Sequence, residues 1–295
     1  MTRPTFMLCP PDHFDVSYVI NPWMDPDDWA RHQDSYRAAA AAGWRDLVQA
    51  LQSAGARVIT LPAAAGVPDM VFTANAAVVL NGIALLARFR HRERQGEEQH
   101  IHAFFKTLLA KGDIDRIVTP PAGLTFEGAG DAVWDAARRL MWMGHGPRTD
   151  VAMARVLETT YDVRVLPLKL VDPRFYHLDT ALCVLSGGEV LYYPPAFDAA
   201  SLRVITDTIP AAQRIVISDA DATLIAANGV CIERTFISGG MTPALKTTLE
   251  ARGYTILIPR ISSFAKSGGS AYCLTLRLDR RNWIMTAEPP LIAAQ

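Results

Sequence analysis

Five times along this chain a short β-branched run follows a stretch whose apolar residues recur at three- and four-residue spacing. The runs are 57–62, 116–121, 163–168, 214–219 and 254–259, several closed by Pro, as buried strands ending at a loop are. The preceding stretches, 35–54, 97–111, 149–161, 199–212 and 242–252, read as helices, with Trp44, Leu47 and Leu51 on one face of the first. A second strand set follows each run and opens at Asn75, Asp131, Asp179, Asn228 and Cys273, positions 56, 48, 49 and 45 residues apart. The unit is strand–strand–helix–strand, repeated five times. Five such units around an axis make an α/β five-bladed propeller with every strand-opening residue at one mouth of a central channel. A doubly wound α/β sheet also alternates strands and helices. Adjacent strands with no helix between them favour the propeller, and residues 1–295 read as a single domain.

Composition narrows the function. Of 295 residues 50% are apolar and 20% charged, with a net charge of −1, which gives a large core and no basic footprint for nucleic acid. No apolar stretch approaches the ~18–20 residues that span a bilayer. The N-terminus lacks the apolar region and cleavage site of a signal peptide. Cys9, Cys183, Cys231 and Cys273 are scattered, with no C-x-x-C pair. The expectation is a cytoplasmic protein with free thiols, without nucleic acid or membrane partners and with a homo-oligomer left open.

Cys273 ends a Gly/Ser run, Lys266-Ser-Gly-Gly-Ser-Ala-Tyr-Cys273, at the opening of a strand. Such turns allow close backbone approach to a bound group. The plainer reading of a lone Cys is a core thiol, and it suits Cys9, Cys183 and Cys231. A reactive thiol needs a base, and His177 stands at another opening, in Phe175-Tyr-His-Leu-Asp179. Strand alternation would put His177 and Asp179 on one face. The other six His read as loop or surface residues. Glu127 and Asp131 lie in Phe126-Glu-Gly-Ala-Gly-Asp131, where they orient a His or serve a polar turn. Asn75 reads as a similar turn or cap, and Asp69 beside Pro68 as a turn residue. Phosphate-loop and serine-hydrolase motifs are absent.

Taken in order, F-E-G-A-G-D, H-L-D and the Gly/Ser run to Cys273 resemble the motifs of the guanidine-modifying, or pentein, superfamily across essentially the whole chain. That superfamily includes arginine deiminases, dimethylarginine dimethylaminohydrolases, arginine dihydrolases and glycine amidinotransferases, on a five-bladed α/β propeller. The resemblance implies Cys273 as nucleophile, His177 as general acid/base and Glu127 as its orienting partner. It implies Asp179 on the guanidinium nitrogens, and Arg148, in Gly-Pro-Arg-Thr-Asp, on the substrate carboxylate, with Arg90 a second candidate for that task. Asn75, Asn21 and Asp131 complete the implied substrate-binding set. No metal or organic cofactor is implied. Deiminases carry Asp where this chain has Asn75. Thr-Ala-Asn75, Cys9-Pro-Pro-Asp-His-Phe-Asp15 and Asn21-Pro-Trp-Met24 look more like the arginine dihydrolase branch, which yields ornithine, ammonia and carbon dioxide. Citrulline-forming dimethylargininase or deiminase chemistry, amidino transfer, and a non-catalytic ribosome-binding pentein are the alternatives. The segment 12–34 is expected to fold over the mouth.

Overall fold

An antiparallel strand pair, a helix, and a third strand parallel to the second form each repeat, and the computed structural model, which describes residues 3–281, contains five such sheets. In chain order the first segment gives β1 (Thr5–Leu8), α1 (Pro26–Ser53) and β2 (Arg57–Thr60). The next blade comprises β3 (Ala77–Leu80), β4 (Ile83–Leu86), α2 (Arg92–Gln95), α3 (Glu97–Lys111) and β5 (Arg116–Val118). It is followed by β6 (Ala132–Asp135), β7 (Leu140–His145), α4 (Met153–Tyr161) and β8 (Arg164–Lys169). The fourth segment holds β9 (Leu182–Val184), β10 (Val190–Tyr192), α5 (Ala199–Thr208) and β11 (Arg214–Val216). After α6 (Asp219–Thr223) come β12 (Val230–Ile232), β13 (Thr235–Ile237), α7 (Pro243–Ala251), β14 (Thr255–Leu257) and β15 (Leu276–Arg277).

The last described strand closes the ring. β15 pairs antiparallel with β1, Phe6 opposite Arg277 and Met7 opposite Leu276, so the first blade joins two segments about 270 residues apart in sequence. Val79, Val133, Leu182, Val230 and Leu276, one from the first strand of each blade, line a common axial space. The architecture is a five-bladed α/β propeller; among the described residues no sheet extends past three strands, as a doubly wound sheet would. Helices pack outside, α3 burying Ile101, Phe105 and Leu108 and α7 burying Leu245 and Leu249. Each such side chain contributes roughly 1.5–3 kcal/mol by leaving water.

Three local expectations are corrected. The first helix begins at Pro26, well before residue 35, because Asp25 caps it through Asp28 N and Asp27 and Asp28 favour its N-terminus; it kinks at His32. The helix expected over 149–161 starts at Met153, since Thr149 and Asp150 bond to Asp131, Glu127 and Thr125 instead. The polar residues do not open strands. Asn75 and Asp179 sit on short 3-10 turns, Thr73–Ala76 and Leu178–Thr180, and Asp131 closes the turn Gly128–Gly130. Likewise Cys273 lies in a turn in which Leu274 N bonds Ser270 O and Thr275 N bonds Tyr272 O, so the ladder begins only at Leu276.

Candidate active site

The turns bring side chains from distant repeats together at one end of the axis. Cys273 is 2% exposed. Its thiol donates to Asp179 Oδ2 at 3.1 Å and accepts from Asn228 Nδ2 at 3.1 Å. Burial and the adjacent Asp179 push the thiol well above its ordinary range, so it rests as neutral S–H. Asp179 Oδ1 is buried with no hydrogen-bond partner among the described residues, and burial pushes this carboxyl up to about 7.

His177 and Asp179 do not share a strand face. His177 is the extended residue before the 178–180 turn, and the two side chains diverge, Asp179 towards Cys273 and His177 towards Glu127. His177 Nε2 meets Glu127 Oε2 at 2.7 Å, which leaves Nδ1 as the ring nitrogen not engaged by Glu127. Burial lowers His177 to about 4, against the pull of Glu127. Burial also opposes ionisation of Glu127, but Arg148 at 3.1 Å and His177 hold it well below the usual carboxylate range. Arg148 is buried, with Nη2 on Ile20 O at 2.9 Å and its guanidinium 4.6 Å over the Tyr176 ring.

A narrow cavity opens beside Cys273, with Asp69, Asn75, Arg94, Arg148 and Asn21 on its walls. Asn21 Nδ2 bonds Ser267 O at 3.1 Å and its Oδ1 accepts from Trp23 N. Residues 18–23 lie across the cavity, tied by Tyr18 to Asp69 (2.8 Å) and by Trp23 Nε1 to Arg174 O (2.7 Å). That is the inner part of the segment expected to cover the mouth.

Two expected substrate contacts lie elsewhere. The Arg90 guanidinium reaches Asp150 (2.8 Å) and Thr125 (3.1 Å) outside the cavity wall, and only its backbone N–H touches Glu127. Asp131 is buried behind the site, accepting from Thr149 Oγ1 at 2.7 Å and Leu178 N at 3.0 Å. Two cavity residues escaped sequence reasoning. Arg94 lies four residues past Arg90, held by Glu97 at 2.7 Å and donating to Asn75 Oδ1 at 2.8 Å. Asp69 looked like a turn residue beside Pro68, but it is buried and its Oδ1 has no partner among the described residues. The one available signal was the Arg94/Glu97 spacing, which matches an ordinary surface pair.

Gly130 allows the close approach of these turns, since a Cβ there would strike Asn75 Nδ2 and meet His177 Cγ at 3.5 Å. Among the described residues no cluster of three or more His, Cys, Asp or Glu is set to hold a metal ion, and no helix is long and apolar enough to cross a membrane.

Residues 13–280 match the family model for eukaryotic N,N dimethylarginine dimethylhydrolase. The chain belongs to this family. Members and near relatives include the bifunctional arginine dihydrolase/ornithine cyclodeaminase ArgZ of Synechocystis, 42% identical over 272 residues covering 92% of this chain. The N(G),N(G)-dimethylarginine dimethylaminohydrolase of Mycobacterium tuberculosis is 34% identical over 273 residues, 92% of this chain and 85% of its own. The chain spans 37% of the length of ArgZ and 38% of its Nostoc counterpart AgrE. Among solved structures, the substrate-bound N-terminal domain of ArgZ, a cyanobacterial arginine dihydrolase, superposes with a TM-score of 0.86 at 39% identity, covering 95% of this chain and all of that domain.

Proposed function

We propose that this chain is a cysteine-dependent hydrolase of the guanidinium carbon of arginine, releasing ornithine, ammonia and carbon dioxide, and that residues 1–295 act as one catalytic domain in the cytoplasm. The observation that carries this reading is a pair of buried carboxylate oxygens without partners among the described residues, Asp69 Oδ1 and Asp179 Oδ1, beside a buried thiol. Unpaired buried carboxylates want N–H donors, and a ligand with a cation at each end, one of them a guanidinium, supplies them. Arg148 and Arg94 stand on the same cavity to take a carboxylate. The likeness to ArgZ supports arginine as the substrate. The four cysteines, all free, support the compartment.

The chemistry follows from the two proton acceptors. With guanidinium against Asp179, the carboxylate ionises and the cation favours thiolate. His177 Nδ1 takes the thiol proton as the sulfur adds to the guanidinium carbon, while Glu127 on Nε2 stabilises the imidazolium. The imidazolium gives that proton to one nitrogen, the C–N bond breaks, and ammonia leaves a thiouronium. Neutral His177 then deprotonates a water that adds to the same carbon, and collapse expels the thiolate, giving the ureido compound. A second attack by Cys273 on the ureido carbon expels a second ammonia. Water then cleaves the resulting thiocarbamate to a carbamate that loses carbon dioxide. Two waters are consumed in all. Asn75, a neutral amide at the cavity wall, removes one anion that would favour the cationic guanidinium and can hydrogen-bond a neutral ureido group as well.

The family match and the Mycobacterium relative favour a second reading, hydrolysis of dimethylarginine to citrulline and dimethylamine. Incubation with each compound and mass analysis of products separates the two. Ornithine from arginine is expected, and Asn75→Asp should divert it towards citrulline. Citrulline alone from the unmodified protein would overturn the dihydrolase reading, and turnover by Cys273→Ala would overturn the cysteine mechanism.

A further inference from the structure

One polar position comes round per repeat: Asn75, Asp131, Asp179, Asn228 and Cys273. Asn75 and Cys273 line the cavity, Asp179 touches the sulfur, and Asp131 supports the His177 turn through Leu178. Asn228 has no role in the reaction as drawn above, yet it is fully buried and all four hydrogen-bonding capacities of its amide are used. Its Oδ1 accepts from the backbone N–H groups of Ser270 (3.0 Å) and Cys273 (3.1 Å), which fixes which end of the amide is the carbonyl. The Nδ2 end donates to Asp179 O (3.2 Å) and to the Cys273 sulfur (3.1 Å). Its main chain joins in, Asn228 O accepting from Tyr272 N at 3.1 Å. A second, independent sign lies three residues earlier. Ile225 is buried at φ 52°, a left-handed conformation that β-branched residues avoid, and its carbonyl receives Asn228 N at 2.9 Å. Strain of this kind persists where the surroundings enforce it, commonly at functional sites.

We propose that Asn228 is the positioning residue of the cysteine chemistry: it clamps the turn that carries Cys273 and supplies the N–H that receives the negative charge when the sulfur loses its proton. This rests on the function proposed above. In the empty site the S–H bond points to Asp179 Oδ2 and the sulfur lone pair accepts from Asn228. Once the proton has gone to His177, the sulfur can only accept. The Asn228 contact then becomes a charge-assisted bond, which is about twice as strong as a neutral one. An amide neither takes up nor loses a proton in this range, so the donor persists through both rounds of attack. Aspartate at this position keeps the shape and the two acceptor bonds, removes the donor, and sets a second anion beside Asp179.

The test is the pH dependence of Cys273 alkylation by iodoacetamide, located by peptide mass, with kcat and KM measured in parallel. In Asn228→Ala and Asn228→Asp the alkylation midpoint should rise by about one pH unit or more. kcat should fall roughly 10- to 100-fold with KM held within about threefold, and raising the pH should restore part of the loss in the Ala variant. Where Asn228→Ala fails to fold, as circular dichroism would show, the near-isosteric Asp variant carries the same measurement. A midpoint and a kcat–pH profile coincident with those of the unmodified protein overturn the inference alone. Turnover by Cys273→Ala overturns the cysteine reading and this inference with it.

Discussion

At the scale of single residues the site is organised around charges that are held back. Asp179 is a carboxyl whose folded pKa is raised, to about 7, chiefly by burial. Such a group contributes stability that is fully present below its ordinary range near pH 4 and lost as pH rises through about 7. A bound cation reverses the sign by favouring the ionised form, so binding below that pH releases a proton. In the Cys273→Ala protein, arginine affinity should therefore strengthen as pH rises from about 5.5 and level off above the Asp179 midpoint. Calorimetry in two buffers of different ionisation enthalpy measures the proton directly. A dissociation constant flat across that range, with no dependence on buffer, would contradict the role given to Asp179. His177 and Cys273 were legible in the sequence because their types are scarce and their motifs stand together. Arg94 was not, because an Arg three residues before a Glu on a helix looks the same whether it faces water or a cavity.

At the scale of elements, the turns before the first strand of each blade decide geometry. The turn at Gly128–Gly130 packs against the one at Thr73–Ala76, with no room for a side chain: a Cβ on Gly128 would lie 2.6 Å from Ala74 O, and one on Gly130 would collide with the Asn75 amide. Gly130→Ala should push Asn75 off Arg94 and the Glu127 carbonyl, costing about 1–3 kcal/mol of stability and at least roughly tenfold in kcat/KM. Urea denaturation and steady-state kinetics check both. A variant of unchanged activity would show that the contact between the turns does not set the position of Asn75. Sequence periodicity located the strands that follow to within a few residues, yet took Asn75, Asp179 and Cys273 for strand openings. Period-two alternation carries no mark of a single 3-10 turn, and the Cys273 turn is held by a side chain 45 residues away.

For the whole molecule the decisive feature is closure. β15 completes the blade begun by β1 and β2, reinforced by Leu278 N on Thr5 O and by Thr5 N on Asp279 Oδ1 at 2.9 Å. Leu276, 1% exposed, stands on the axial space shared by all blades. Leu276→Ala should cost about 2–5 kcal/mol. Since every blade packs on two neighbours around the ring, loss should appear as one lowered transition, coincident by tryptophan fluorescence and far-ultraviolet circular dichroism. Two separated transitions would show that the blade closed by β15 melts on its own.

The amino-acid sequence by itself determined the repeat, the propeller, and the residue types that meet at its mouth, because spacing and periodicity are properties of one dimension. Only the tertiary structure decided that Arg94 faces the cavity while Arg90 turns to Asp150, that Asp69 and Asp179 each keep an oxygen unpaired among the described residues, and that Asn228 grips Cys273. Those facts depend on which groups lose water together, and burial is set by packing between distant repeats.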